Sequence, residues 1–176
     1  MKVEIDTGTG EISVGGVVVY KDQRGKTIAD YMEMYEGAKE WDNTVQAIQK
    51  WYYGKMVKDA WCCTGLSFFA DMAGVGNQVL KTENVDVLKN IMNTLGKVDC
   101  TERYGGGNYK PKRGDIVFMS SKKQYADCTH VGVISSINLD TGVVTVISCN
   151  CNDAIMRKVY NYKYDGYIVA WGRVDY

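Results

Sequence analysis

The sequence has few of the residues on which several classes of site depend. It contains one histidine, His130, among 176 residues, which excludes an H-E-x-x-H motif and any zinc centre with several histidine ligands. The 21 Lys and Arg balance the 21 Asp and Glu, so the chain lacks the excess positive charge with which nucleic-acid-binding proteins neutralise phosphate. No run of about 18 apolar residues is present, so we expect no membrane span. A D-x-D-x-D-G calcium loop is also missing, and we expect no cofactor and no calcium requirement.

The N-terminus and the cysteines indicate in which cellular compartment the chain is made and whether its thiols are reduced. Residues 1–6 lack the apolar stretch of a secretory signal, so we expect synthesis in the cytoplasm without a signal peptide. The chain has six cysteines, an even number that would suit a disulfide framework in a short secreted protein. Because a chain of this length can build a core without disulfides, we expect mostly reduced thiols.

Hydrophobic periodicity predicts helices in the first half of the chain and strands in the second. Residues 3–20 are typical of short strands joined by glycine turns. The class expected from this order is α+β, with helices packed on an antiparallel sheet. We expect residues 1–40 to form an N-terminal β-hairpin and helix extension of unknown role, and residues 41–176 to form the main domain. The predicted helices start near 28, 43, 62 and 82, and the predicted strands cover 116–119, 130–134, 143–148, 157–164 and 167–171.

Cys62 is the candidate nucleophile and His130 the only candidate imidazole base. Cys62 lies at the head of a predicted helix, and a helix N-terminus favours a thiolate. A histidine on the sheet can complete a Cys–His pair in space. From the residues alone, the alternative is that Cys62 is a small buried apolar residue and His130 a histidine of the core.

Strand alternation predicts a polar partner for the imidazole. In a strand over 143–150, Ser148 and Asn150 share one face and Cys149 lies on the other. Such a polar pair could orient the imidazole and fix its tautomer, which is the role of the third member of a catalytic triad. The alternative is that Asn150 is simply a turn residue after the strand.

A zinc site is a competing interpretation of the same region. Cys128, His130, Cys149 and Cys151 together supply the ligands of a Cys₃His centre, and each pair is spaced i, i+2 on one strand face. The single histidine cannot be both a metal ligand and a free base, so the two interpretations exclude each other.

Five short motifs resemble, in order, those of the CHAP family, the cysteine, histidine-dependent amidohydrolases/peptidases related to the NlpC-type, papain-like cell-wall hydrolases. Any one of them is weak, but five in order from about residue 45 to 176 are specific. They are Ala60-Trp61-Cys62-Cys63 with the following helix, Pro111-Lys112-Arg113-Gly114-Asp115-Ile116-Val117-Phe118, Thr129-His130-Val131-Gly132, the segment 146–155, and the segment from Gly166-Tyr167 to Tyr176.

The resemblance implies a papain-like α+β fold and hydrolysis of an amide in bacterial peptidoglycan. The bond would be the muramoyl–L-alanine amide or one within the stem or cross-bridge peptide. Many such proteins are phage lysins or tail-associated hydrolases, so the implied partners are peptidoglycan and a phage particle or a holin-dependent release system. We expect no nucleic-acid partner.

Carried over by position, the resemblance makes Cys62 the nucleophile and His130 the base. The orienting role falls to Asn150, with Ser148 in support, because Ser148 stands where the family often has Glu and cannot carry its negative charge. That departure leaves open a catalytically impaired protein that only binds its target or serves in a phage particle. Residues expected to line the substrate groove are Trp61, Tyr53, Tyr104 and Tyr109, with core packing as the alternative for Trp61.

Overall fold

The computed structural model describes residues 25–176 and, before them, the backbone of three short strands. These strands are β1 (Val3–Ile5), β2 (Ile12–Val14) and β3 (Val17–Tyr20), which pair antiparallel in the order β1-β2-β3. The strands predicted within residues 3–20 are therefore present. The role expected for residues 1–40 stays a prediction.

The α+β class predicted from the sequence is confirmed. Helices come first and a six-stranded antiparallel sheet follows, in the strand order β4-β9-β5-β6-β7-β8. The helices are α1 (Ile28–Met34), α2 (Asn43–Tyr53), α3 (Cys62–Met72) and α4 (Val85–Thr94). The strands are β4 (Val98–Cys100), β5 (Ile116–Met119), β6 (His130–Asn138), β7 (Val143–Cys151), β8 (Ala154–Asn161) and β9 (Ile168–Gly172), and a 3-10 helix covers Glu102–Tyr104.

The central helix α3 is buried against one face of the sheet. Eight of its 11 residues are buried, and Leu66 and Phe69 share a core with Val131 and Ile147 of the strands beneath. Gly65 permits the close approach, because a Cβ there would lie 2.5 Å from the sulfur of Cys149 on β7. The helix therefore holds its N-terminal residue, Cys62, directly over the middle strands.

The other face of the sheet forms a second apolar cluster. Val117, Met119 and Val146 pack there with Tyr162 and Trp171, whose rings meet edge to face at 5.3 Å. Since successive residues of a strand point to opposite faces, each central strand contributes to both clusters. This two-sided burial explains why the middle strands are apolar almost throughout.

Helix α1 is joined to the sheet by ion pairs. Thr27 and Asp30 form the capping box that the sequence predicts at its start. The guanidinium of Arg113 donates to Asp30 at 2.7 Å and to Glu33 at 2.8 Å, and the Ser135 hydroxyl also donates to Glu33. Residues 28–34 thus share the core and the surface contacts of the sheet that follows. Within the described part of the chain, no helix is long and apolar enough to cross a membrane.

The turn before β5 is organised by a buried carboxylate. Asp115 accepts hydrogen bonds from the Tyr109 hydroxyl at 2.7 Å, the Lys112 backbone N–H at 2.9 Å and the Val174 backbone N–H at 3.5 Å. Gly114 has a positive φ of 92°, which glycine adopts without strain. The Pro-Lys-Arg-Gly-Asp motif therefore has a structural role, since it connects β5, the C-terminal segment and the loop before it.

Candidate active site

Cys62 is the first residue of α3, and it lies at a helix start that has no side-chain cap. The N-cap residue Trp61 provides no side-chain hydrogen bond to the helix, so the N–H groups of the first turn have no side-chain cap. Cys62 itself is 6% exposed. Free N–H groups at a helix start can stabilise negative charge on the sulfur or on an adjacent oxygen.

Two opposing influences act on the Cys62 thiol. Burial raises its pKa above the ordinary value, because the low-dielectric surroundings disfavour the thiolate. Backbone N–H groups of Val131, Cys63 and Cys62 itself act in the opposite direction. The net direction is upward, so the resting thiol is protonated near neutral pH, and its sulfur lies beside the backbone at the start of β6.

His130 is the first residue of β6 and faces away from α3. Its neighbour Val131 packs into the core under α3, whereas Met119, directly opposite His130 in the ladder, belongs to the second cluster. The His130 Nε2 atom lies 3.0 Å from the Ser148 hydroxyl oxygen, in hydrogen-bond contact. This contact leaves Nδ1 as the ring atom available to exchange a proton with a thiol.

The imidazole is held in its neutral form. Burial lowers the pKa of His130 to about 4, and the positive charge of Lys158 on β8 acts in the same direction. With the thiol protonated and the imidazole neutral, the resting pair carries no net charge. A neutral imidazole is the form that accepts a proton, so His130 meets the first requirement of a general base.

The thiol and the imidazole both lie at the start of β6, but toward opposite faces of the sheet. The Cys62 sulfur contacts the backbone of Val131, the residue that follows His130. Within residues 25–176, the imidazole forms a hydrogen bond with Ser148 and none with Cys62. Direct proton exchange between the two side chains therefore requires the imidazole to turn toward the start of α3.

A cavity of about 460 Å³ adjoins the imidazole on the face opposite α3. Its size is in the range of small-ligand sites. Side chains from the end of β5, from β8 and from the segment before β9 meet there. The lining consists of Met119, Ser120, Ser121, Thr129, His130, Lys158, Val159, Tyr160, Asp165 and Tyr167.

Asn150 lies apart from the imidazole. The ladder of β7 and β8 is irregular between Ser148 and Cys151, and Asn150 has a positive φ of 55°. This irregularity breaks the alternation that predicts Ser148 and Asn150 on one face. Asn150 instead lines a second cavity of about 400 Å³ together with Asp59, Ala60 and Asp153, next to the start of α3. In the described residues, Ser148 is therefore the bonded partner of the imidazole.

The four residues predicted to line a groove are not brought together. Trp61 is fully buried beneath α3, in the core position that was the alternative for it. The Tyr53 hydroxyl donates to Glu83 at 2.7 Å beside α2. Tyr104 donates to the carbonyl of Gly166 and Tyr109 to Asp115, both at 2.7 Å. Tyr109 also lines a separate cavity of about 170 Å³, which contains none of the other three.

The cysteines do not form the zinc site considered above. In the described part of the chain, no three or more His, Cys, Asp or Glu side chains are grouped so that they could hold a metal ion. Cys149 packs under Gly65 on the α3 face, while Cys128 lies 3.2 Å from the Lys89 ammonium. All six cysteines are free thiols.

Sequence reasoning missed the cationic side of the site. Lys158 and Tyr160 lie on β8, whose register pairs Met156 with Ser148 and Lys158 with Val146. Alternation along a strand over 154–161 would have placed Met156, Lys158 and Tyr160 on one face. The predicted strand at 157–164 began three residues too late. It therefore did not include Met156, the residue that pairs with Ser148.

Of three comparisons with known proteins, one assigns the chain to a family. The family model for the CHAP domain matches residues 51–150, which is more than half of the 176 residues. Comparison with curated protein sequences finds no match. A crystal structure of Ly7917 with the hydrolyzing product of MDP is 15% identical, with a TM-score of 0.40 over 65% of this chain and 54% of that chain. A second crystal structure of Ly7917 is 14% identical, with a TM-score of 0.42 over 74% of this chain and 61% of that chain. This chain therefore spans less than two thirds of the length of those proteins.

Proposed function

We propose that this chain, which belongs to the CHAP domain family, hydrolyses an amide bond of bacterial peptidoglycan through Cys62 and His130. The observation that carries the proposal is the position of Cys62 at an uncapped helix start, against the strand that begins with His130. A nucleophile, a base and free backbone donors are the minimum that acyl transfer requires. The matched region includes both side chains.

The first half of the reaction forms an acyl-enzyme. In the substrate complex the imidazole turns toward the start of α3, the Cys62 thiol gives its proton to Nδ1 of His130, and the sulfur attacks the carbonyl carbon of the amide. The backbone N–H groups of Cys62 and Cys63 stabilise the oxyanion at the helix start. The imidazolium then protonates the leaving nitrogen, and the C–N bond breaks. Water, deprotonated by the same imidazole, releases the acyl group and restores the thiol.

Ser148 is the residue that orients the imidazole in this mechanism. For Nδ1 to accept a proton, Nε2 must carry a hydrogen, which it donates to the Ser148 hydroxyl oxygen. A carboxylate or an amide oxygen would only accept and would enforce that tautomer. A hydroxyl can also donate, so Ser148 orients the ring without enforcing the productive tautomer. We therefore expect a slower reaction than a charged or amide partner would support.

The test is release of soluble fragments from purified peptidoglycan by wild type, Cys62→Ala and Cys63→Ala. Cys62→Ala should lose activity by about 10³-fold or more, since removing a nucleophile disables the whole constellation. Cys63→Ala is the matched control, because the neighbouring thiol is also buried but has no role in the mechanism. Equal activity of Cys62→Ala and wild type would reject the proposal.

The bond and the route to the wall are part of the same proposal. Mass analysis of the released fragments separates cleavage at the muramoyl–L-alanine bond from cleavage within the peptide. A new amine at L-alanine indicates the first, and a shortened peptide indicates the second. Delivery by a phage particle or after holin-dependent release stays a prediction.

A second candidate is a binding module without catalysis. The neutral hydroxyl at Ser148 and the raised pKa of the Cys62 thiol favour it. In that case wild type and Cys62→Ala would bind peptidoglycan equally well and neither would release fragments. A cosedimentation assay run beside the release assay distinguishes the two functions.

A further inference from the structure

We infer that Lys158 binds a carboxylate on the leaving-amine side of the substrate, within the cavity that His130 lines. The direction of the substrate rests on the proposed function, because the group that protonates the leaving nitrogen must face the leaving part. The existence of a carboxylate site at Lys158 can be tested without turnover.

The position of Lys158 is set by the register of β8. Lys158 is opposite Val146, and Met156 is opposite Ser148, so these side chains share one face of the sheet. It is the face on which His130 contacts Ser148. Lys158 and His130 therefore line the same cavity from two strands separated by β7.

Lys158 is an uncompensated cation in that cavity. In the described residues, it has no ion pair or hydrogen bond to a carboxylate. Asp165 lines the cavity too, but its carboxylate already accepts the backbone N–H of Asn161 at 2.6 Å. By contrast, the adjacent Arg157, on the other face of β8, pairs with Glu36 at 2.6 Å. An unpaired ammonium at the wall of a cavity is suited to an anionic ligand.

The direction of the reaction assigns this cavity to the leaving group. His130 delivers the proton to the departing nitrogen, so that nitrogen and the residue attached to it must lie against the imidazole. The cavity of about 460 Å³ has room for a short peptide segment there. A carboxylate on that segment, whether a chain terminus or a side chain, would reach the ammonium of Lys158.

Binding such a carboxylate would also raise the pKa of the His130 imidazole. The positive charge of Lys158 disfavours a protonated His130, and a carboxylate bound to the ammonium offsets that charge. The other titratable groups around the cavity are Asp165, Tyr160 and Tyr167, with Lys123 4.6 Å from the centre of the Tyr167 ring and Cys62 beyond the strand. A substrate with an anionic leaving group therefore helps His130 hold the proton that it must later deliver, and the reaction favours such substrates.

The binding arm of the test uses the only histidine as its own reporter. The pKa of His130 is followed by NMR in wild type, Lys158→Gln and Lys163→Gln, alone and with N-acetylglycylglycine or its C-terminal amide. Lys163 is the matched control, because it lies outside the cavity lining and bonds the Asp140 carbonyl.

We expect the carboxylate to raise the pKa of His130 by about half a unit or more in wild type and in Lys163→Gln. The amide should leave the pKa unchanged, and Lys158→Gln should abolish the response to the carboxylate. Equal shifts with both ligands, no shift with the carboxylate, or a carboxylate shift that survives in Lys158→Gln would overturn the inference.

The activity arm compares two substrates that differ only by a carboxylate or a carboxamide on the leaving peptide. Lys158→Gln should lower kcat/KM for the carboxylate substrate about 10-fold relative to the carboxamide substrate, so that the preference of wild type is lost. Lys158→Arg should retain the preference because it keeps the charge. If wild type cleaves neither substrate, the proposed function fails and the NMR arm alone decides the carboxylate site.

Discussion

The two ends of β5 handle polar groups in opposite ways. At the start, the buried Asp115 carboxylate has three donors, from Tyr109, Lys112 and Val174. At the other end, Met119 is paired with His130. Among residues 25–176, the His130 ring bonds Ser148 alone, and Lys158 in the cavity beside it has no carboxylate partner. The first arrangement uses its carboxylate to hold three parts of the fold together. The second leaves a hydrogen-bonding ring atom and a positive charge available to a substrate, as an active site requires.

This contrast gives different roles to two motifs that carry equal weight in the sequence. The Pro-Lys-Arg-Gly-Asp turn is structural, because its carboxylate and the Arg113 guanidinium are engaged with other elements. The Thr-His-Val-Gly motif leads into the candidate active site. Substitutions at the two ends of β5 should therefore separate stability from activity.

The largest effect is expected for His130→Ala. Loss of the only imidazole should lower fragment release from peptidoglycan by about 10³-fold, since the same ring serves as base and then as acid. Unfolding in urea should show that the variant remains folded. A variant that keeps more than a tenth of the wild-type rate would remove His130 from the mechanism.

At the other end of β5, Asp115→Ala should chiefly destabilise the protein. The substitution leaves buried donors without an acceptor, and we expect the free energy of unfolding to fall by about 3 kcal/mol. Tyr109→Phe removes one of the three donors and should cost about 1 kcal/mol. Urea denaturation measures both. A loss of less than 1 kcal/mol in Asp115→Ala would contradict the structural role.

The pH dependence should report the environment of His130. Because the pKa of His130 is lowered to about 4, the acid limb of kcat/KM should lie near pH 4 and not near 6.5. The same shift affects stability. Below pH 6.5 the unfolded chain protonates the imidazole more readily than the folded protein does, so stability falls as the pH drops from 6.5 to 4. An acid limb at 6.5 would show an imidazole exposed to solvent.

A smaller effect is expected for the orienting residue. Ser148→Ala should lower kcat about 10-fold, because it removes one neutral hydrogen bond and leaves the imidazole in place. Ser148→Asn is the informative partner, since an amide oxygen can accept from Nε2. We expect it to retain more activity than Ser148→Ala in the same release assay. Equal rates in wild type and Ser148→Ala would mean that the contact does not orient the ring.

Much of the fold followed from local pattern. The capping box at Thr27 and the apolar spacing along α3 and α4 set the helices within a few residues, because these signals act over one or two turns. The three-residue strand β4 was missed, since its pairing with β9 brings together residues about 70 positions apart. The start of β8 was placed too late because it depends on the hairpin with β7.

Within the site, the sequence supported residue types better than positions. Cys62 at a helix start and His130 at a strand start follow from pattern. The hydrogen-bond partner of the imidazole could not be predicted from pattern, because one irregular pairing after Ser148 places Asn150 at a different cavity. Trp61 shows a related limit: its neighbour is the candidate nucleophile, yet its own side chain is wholly within the core.

The sequence by itself determined the α+β order, the candidate nucleophile, the only possible imidazole base and the membership signal carried by five ordered motifs. These depend on composition, local periodicity and spacing, which the linear chain contains completely. The tertiary structure decided which polar group contacts the imidazole, which side chains line its cavity and that Lys158 lies there with no carboxylate partner from residues 25–176. Those outcomes depend on strand register and on a single irregularity in it, and register is a property of pairs of distant segments.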